Sequence, residues 1–500
     1  MRILRLAGVF LALAHSPACA DPLPDAIRKS VVKIFTTYQK PNYYQPWQVL
    51  NQDALTGSGA VIEGNRILTN AHVVSDESYV QVRKAGEPQK YRARVQFVGH
   101  DCELAVLTVD DPEFFKDAKP LALGALPHQR DKVAAYGFPA GGDDLSITEG
   151  TVSRVEVTRY THSDFDLLAV QTNAAINPGN SGGPVIKDGK MVGVSFQSYA
   201  GTGSLENTGY LVPAPIIRRF LKDIEDGEYD GVPALGMITQ SLESGPLREF
   251  NNVPKEATGI LVTKVIYGSS AWGALQRGDV VTAIEGISLS NDKTYLLDKQ
   301  HRVDYTNIVK SHQAGDVVAV DVLRAGKPAR LSVKLKTYQG LVEGPLYDKK
   351  PSYFLLGGLV FTPLTRNFIN GWEAKDQITI FKYMQELDYP SPDRLQPVII
   401  PFVLPHDVNE GYHDLRSVVV DKINGRKIAR LSDVPEAFKH PLNQYHVIET
   451  DPVSDDGQKI VIDAAKAEKA TKEVLARHGI AQDRSDDLRG LGSLGVGVPR

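Results

Sequence analysis

From Val31 to about Gly209 the chain is a succession of short runs rich in Val, Ile, Thr and Tyr, each closed by Gly, Asn or Asp. GSGAVIEGNRILTNAHVV (57–74) and KMVGVSFQS (190–198) are examples. β-Branched and aromatic residues suit a pleated surface, and Gly and Asn supply the conformations that tight turns need, so this stretch reads as all-β. A helix ends it: Pro215 stands near its start, Ile216, Ile217, Phe220, Leu221 and Ile224 recur at three-to-four spacing, and Gly227 stops it. The first domain boundary therefore falls near residue 228.

At 500 residues the chain exceeds one ordinary core and calls for roughly three to four units. Residues 229–340 return to β, with LGMITQ (235–240), GILVTKVI (259–266), GDVVTAIEGISL (278–289) and GDVVAVDVLRAGKPARLSVKL (315–335); a helix is expected over Tyr295 to Val309. Residues 350–470 repeat the pattern with YFLLGGLVF (353–361), VIIPFVL (398–404) and SVVVDKINGRKI (417–428). Ala464 to His478, closed by Gly479, reads as a final helix, and 480–500 as a flexible tail.

Residues 1–20 carry Arg2 and Arg5, the apolar stretch Leu6 to Ala14, then Ala18-Cys19-Ala20, the pattern of a cleavable secretory signal. A lipid anchor on Cys19 is the rival, but Ser16-Pro17-Ala18 lacks the Leu usual before a lipidated Cys. Cleavage would leave Cys102 as the only thiol, with no intrachain disulfide, and a formal charge two units more negative than −4. The location expected is periplasmic or secreted. With 42% hydrophobic and 23% charged residues and no later apolar run near the roughly 20 residues of a membrane helix, no integral membrane segment is expected after signal removal. No basic stripe is available to neutralise phosphates, so no nucleic-acid partner is expected.

A serine hydroxyl becomes a useful nucleophile only when an imidazole takes its proton and a carboxylate orients that imidazole. Ser181 lies in Gly179-Asn180-Ser181-Gly182-Gly183, where glycines let the amides of Gly179 and Ser181 turn toward a developing oxyanion. Gly179 and Asn180 are the residues assigned to the oxyanion hole. A glycine-rich hairpin turn would use the same residues. His72, in ILTNAHVV, is the candidate base.

Taken together, GSGAVI, ILTNAHVV and GNSGGP, in the order His then Ser, resemble the chymotrypsin-like proteases and specifically the Deg/HtrA family. The resemblance implies a mainly β architecture: a chymotrypsin-like double β-barrel protease domain over 21–228, His on the first barrel and Ser on the second, followed by two α+β PDZ-like domains. The family's acid precedes a run matched here by Leu104-Ala105-Val106-Leu107, which puts it at Glu103 rather than the usual Asp; Asp101, on the same strand face, is the alternative. Ala175 stands where trypsin-like enzymes carry a carboxylate at the base of the primary pocket, and Ser195, Phe196 and Gln197 match the strand that walls it. Cleavage after small or medium aliphatic residues is expected.

Leu235-Gly236-Met237 resembles the loop with which PDZ domains capture a terminal carboxylate beside an added peptide strand. The second block, from Gly357-Gly358-Leu359 onward, resembles the divergent second PDZ-like domain of plant-type Deg proteases and their bacterial relatives, with assembly rather than peptide capture as the alternative role. Tyr43, Tyr44 and Trp47 match N-terminal aromatics that join family members into trimers; local core packing is the other reading. His406, Asp407 and His413 lack any metal-binding spacing, so neither metal nor cofactor is expected. Leu145 to Gly150 and Ser198 to Gly209 are the loops able to hold a resting oxyanion loop collapsed.

The function implied is ATP-independent endoproteolysis of misfolded or unfolded exported proteins, with unfolded chains or peptides as partners and a trimer-based homo-oligomer as the assembly. The competing class is a peptide-binding chaperone or scaffold of weak or absent proteolysis. An esterase is disfavoured because the G-x-S-x-G elbow and the Ser-Asp-His order are absent.

Overall fold

The computed structural model describes residues 26–139, 142–198, 208–338, 340–371, 389–452 and 457–489. The residues read as a secretory signal, most of the Ser198 to Gly209 loop and residues 490–500 lie outside the described residues.

Six strands, β1 (Val31–Tyr38), β2 (Asp53–Ile62), β3 (Arg66–Thr69), β4 (Glu77–Lys84), β5 (Tyr91–Gly99) and β6 (Leu104–Val109), close into a barrel in the order β1-β2-β3-β6-β5-β4. Alternation builds it: Val32 and Ile34, Val80 and Val82, and Ala105, Leu107 and Val109 fill one core at period two, while Val31, Ala60, Leu68, Leu104 and Val106 face a second one. A short helix, α1 (Ala71–Val74), follows β3 directly.

A second closed barrel holds β7 (Lys132–Gly137), β8 (Ser146–Tyr160), β9 (Phe165–Thr172), β10 (Pro184–Lys187), β11 (Lys190–Ser198) and β12 (Gly209–Pro213), in the order β10-β11-β12-β9-β8-β7. The double barrel implied by the resemblance is thus present. Of the two loops named for the oxyanion region, Leu145 to Gly150 is mostly the opening of β8. Helix α2 (Ala214–Asp223) follows, extends as a 3-10 turn through Asp226, and stops at Gly227 in the left-handed conformation, φ 96°. Its fully buried Phe220 alone contributes about 1.5–3 kcal/mol of burial.

In the first PDZ-like module the strands Met237–Ser241, Ile260–Val265, Val280–Ile284, Val317–Arg324 and Lys327–Lys334 lie side by side in that order. The helix expected over 295–309 is corrected: a hairpin of Thr294–Leu297 with His301–Asp304 occupies most of it, and only Thr306–Lys310 is helical. One hydrophobic core runs from the second barrel into this module, through Val155, Leu168 and Phe220 to Ile260, Val281 and Val320. Buried Arg219 seals the joint, donating to the carbonyls of His312 (2.9 Å) and Gly231.

The second module is built on Phe354–Leu356, Leu359–Pro363, Val398–Phe402, Arg416–Ile423, Tyr445–Thr450 and Lys459–Asp463, consecutive neighbours in one sheet with its own core. Its closing helix, Ala464–His478, is capped by the Asp463 side chain and ended by left-handed Gly479. Among the described residues no helix is long and apolar enough to cross a membrane.

Candidate active site

His72 sits in α1, where β3 leaves the first barrel. Its Nδ1 lies 2.5 Å from Glu103 Oε1, and its backbone N–H donates to the same oxygen at 3.2 Å. A carboxylate only accepts, so Nδ1 carries the proton and Nε2 keeps a lone pair for a serine. Glu103 is fully buried, immediately before β6, with φ 63°, and its carbonyl accepts from Asn70 Nδ2 at 2.9 Å. That left-handed turn aims the side chain across the barrel end to His72. Burial would raise the Glu103 carboxyl, but the attraction of His72 and the two hydrogen bonds from it outweigh burial and hold the carboxyl below its ordinary range.

Asp101 faces elsewhere. Its carboxylate accepts from Tyr229 Oη and, at 2.6 Å, from the Val232 amide, so it ties the start of the first PDZ-like module to the first barrel. Beside it, the Cys102 thiol is fully buried and pushed up by burial, as suits an inert core residue.

Ser181 belongs to the turn before β10, and the first barrel holds that turn in place. Ser58 N–H donates to Ser181 O at 2.8 Å, and Ser58 Oγ donates to Gly179 O at 2.7 Å. Gly182, φ 85°, passes so close that a Cβ would stand 2.0 Å from Ser58 O; Gly183 would meet Tyr136 O at the same distance. Neither position admits a side chain. The Ser181 hydroxyl makes its hydrogen bond to Phe196 O, at 3.5 Å, and none to His72.

The oxyanion assignment changes in part. Asn180 N–H is committed to Asn177 O at 3.0 Å, so it is not the free donor expected; the amides of Gly179 and Ser181 donate to no acceptor among the described residues and are left for a ligand oxygen. Of the predicted pocket residues, Ser195 is a buried brace, its Oγ donating to Asn180 O at 2.8 Å, and Phe196 packs on Tyr160 with ring centroids 4.5 Å apart. Ala175 O accepts from Thr148 Oγ1 at 3.0 Å, and Gln197 lies in β11, paired with Tyr210.

In the first PDZ-like module Leu235 is buried, and at Gly236, φ 71°, an added Cβ would stand only 2.2 Å from Ser269 Cβ. The strand opened by Met237 is the sheet edge, as strand addition requires, but Thr239 O already accepts from Lys293 Nζ at 2.6 Å. In the second module the glycine turn is filled from within: Gly357 N–H donates to Thr471 Oγ1 at 2.8 Å and Gly358 O accepts from Leu404 N–H at 2.8 Å.

The N-terminal aromatics pack within the chain. Tyr44 lies on Phe402 at 5.0 Å and Phe368 at 6.1 Å, and Trp47 on Tyr353 at 5.7 Å, so these rings bind the second module rather than offering themselves to a neighbour. His406 caps the 3-10 turn after it and pairs with Glu473 at 2.9 Å. His413 Nε2 lies 3.5 Å from the carbonyl of His406. No group of residues among those described could hold a metal.

Behind Glu103 lies a cluster that sequence reasoning misses: His100, His162, Tyr347 and Asp348. These residues come from separated places in the chain, and no spacing announces them.

A trypsin-like peptidase domain model matches residues 57–194 and a PDZ domain model matches residues 342–487, the block with the weaker motifs. The chain is 40% identical over 461 residues to Protease Do-like 4, mitochondrial, of Arabidopsis thaliana, spanning 92% of this chain and 85% of that protein. Protease Do-like 2, chloroplastic, of the same plant is 37% identical over 92% of this chain and 75% of its own length. A serine protease DegP homolog of Plasmodium falciparum is 28% identical over 91% of the chain and 67% of its own length. With two closed barrels, a matched peptidase domain and relatives alike along nearly its whole length, the chain belongs to the Do-like, or Deg/HtrA, family and is a serine-type endopeptidase.

Proposed function

We propose that Ser181, His72 and Glu103 form the catalytic triad of an exported, ATP-independent endopeptidase that degrades unfolded proteins. The observation that carries this is the 2.5 Å contact of His72 Nδ1 with the buried Glu103 carboxylate, beside a serine turn that Ser58 fastens to the first barrel. His72 Nε2 takes the Ser181 proton as Oγ bonds to the scissile carbonyl carbon. The negative charge on the carbonyl oxygen is met by the amides of Gly179 and Ser181, and the proton passes to the leaving amine as the peptide C–N bond breaks. Water then releases the acyl group by the same steps in reverse.

Ala175, at the position where the resemblance would put a carboxylate in trypsin-like enzymes, supports cleavage after small or medium aliphatic residues. The first PDZ-like module is the candidate reader of hydrophobic C-termini, through Leu235, Gly236 and Met237. The glycine turn of the second module, filled from within by Thr471 and Leu404, supports a role for it other than peptide capture. The leader-like residues 1–20 and the mitochondrial and chloroplastic names of relatives accord with delivery away from the site of synthesis. The intrachain packing of Tyr44 and Trp47 supports a trimer-based oligomer built on other surfaces.

Casein digestion tests the assignment. Wild type and Asp101→Ala should cleave, whereas Ser181→Ala and Glu103→Ala should not. Cleavage retained in Glu103→Ala and lost in Asp101→Ala would reverse the choice of acid, and cleavage by no variant, wild type included, would leave a peptide-binding scaffold.

A further inference from the structure

Glu103 uses only one of its two oxygens on His72. Oε2 is fully buried and has no hydrogen-bond partner, an expensive state for a carboxylate. Facing it is His162 Nδ1, 3.9 Å away, in the turn between β8 and β9. Behind that ring, His162 Nε2 lies 3.1 Å from His100 Nδ1, and His100 Nε2 lies 2.7 Å from Asp348 Oδ2. Asp348 belongs to the segment joining the two PDZ-like modules. It is pinned there by exchange with Asp76, whose amide donates to Asp348 Oδ1 at 2.5 Å and whose carboxylate accepts from Asp348 N–H at 2.9 Å. Tyr347 stacks on His162 at 3.9 Å and donates its hydroxyl proton to His162 O at 2.7 Å.

Counting protons selects one arrangement. Asp348 accepts only, so His100 Nε2 is protonated. If His100 were neutral, its Nδ1 would accept from His162 Nε2–H, and His162 Nδ1 would turn a lone pair toward the orphaned Glu103 oxygen. If His100 is the cation, His100 Nδ1–H donates to His162 Nε2, and His162 Nδ1–H faces Glu103 Oε2. The second arrangement pairs Asp348 with a charge and turns an N–H, rather than a lone pair, toward the buried oxygen 3.9 Å away. Burial also keeps His162 itself neutral, pushing it down to about 4, which fits a ring holding a single proton.

We propose that Asp348, through His100, fixes the Nδ1–H tautomer of His162 and that His162 is a positioning residue for the triad acid, so the link between the PDZ-like modules sets the geometry of the catalytic carboxylate. The inference rests on the triad reading above. The Asp76 exchange makes the contact a latch, and movement of the second module would release it at Asp348.

Nitrogen-15 imidazole spectra of the full chain test this without relying on activity, with the His162 signals identified by their loss in His162→Gln. Wild type should show His162 protonated at Nδ1 and His100 at both nitrogens, and Asp348→Asn should move the His162 proton to Nε2. In casein assays Asp348→Asn should lower kcat about tenfold with KM nearly unchanged, as expected for a displaced catalytic group, and Asp348→Glu should restore most of it. A His162 proton on Nε2 in wild type, or a tautomer and kcat indifferent to Asp348→Asn, overturns the proposal. Full activity in Glu103→Ala would instead sink the triad reading, whatever the spectra show.

Discussion

Ser58 Oγ stands between the two barrels, donating to Gly179 O at 2.7 Å and accepting from Phe138 N–H at 2.9 Å. It is fully buried, so neither partner has water as a substitute. Ser58→Ala should cost about 1–3 kcal/mol of stability for the polar groups left unpaired. It should also lower kcat by ~10- to 100-fold by loosening the nucleophile turn, with little change in KM. Thermal unfolding and casein kinetics measure both, and an unchanged kcat would show that the turn holds itself.

Stability should depend on acid through His162. Burial lowers its pKa from 6.5 to about 4, so on acidification the unfolded chain takes up this proton before the folded one does. Stability is therefore full above pH 6.5, falls as pH drops from there toward 4, and loses about 3 kcal/mol from this group in all. Urea midpoints at pH 7, 5.5 and 4.5 should fall less steeply in His162→Gln than in wild type. Parallel curves would remove His162 as the cause.

Peptide capture by the first PDZ-like module should be restrained by Lys293, which occupies the Thr239 carbonyl on the edge strand. An incoming strand must displace it. Lys293→Ala should therefore tighten binding of a peptide with a hydrophobic C-terminus about three- to tenfold, the worth of a hydrogen bond of ~1 kcal/mol. Fluorescence anisotropy reads this directly, and equal or weaker binding would place the peptide elsewhere.

Tyr44 and Trp47 should clamp the second module to the first barrel. Removing both rings, by Tyr44→Ala with Trp47→Ala, forfeits aromatic contacts worth about 0.5–1.5 kcal/mol each. Limited proteolysis should then cut between the PDZ-like modules sooner than in wild type, while gel filtration stays the same. A fall in oligomer size would instead show that these rings also serve an interface.

The protease half is legible in the sequence because its signals are local. The turn residues Gly64 and Asn65 and the apolar runs around them lay out β2 and β3, and Gly182 and Gly183 are demanded by contacts under 3 Å. The hairpin at 294–304 reads as a helix because neither Gly nor Pro interrupts the stretch from Tyr295 to Val309. The decisive clue is Asp298-Lys299, both left-handed at φ 49° and 58°, the central pair of a turn closed by Gln300 N–H on Leu297 O at 3.0 Å within a three-residue connection. Asn180 passes for an oxyanion donor until the folded turn shows its amide already taken. The His100, His162, Asp348 cluster has no sequence signature at all, because topology alone joins positions nearly 250 residues apart.

The core shared by the second barrel and the first PDZ-like module has a mechanical meaning. A joint filled with Phe220, Ile260 and Val281 and cross-tied by Arg219 resists hinging, since any swing would expose packed hydrocarbon to water. News of a bound peptide would therefore travel as strain through a stiff body, and the module would work as a lever welded to the enzyme rather than as a hook on a string.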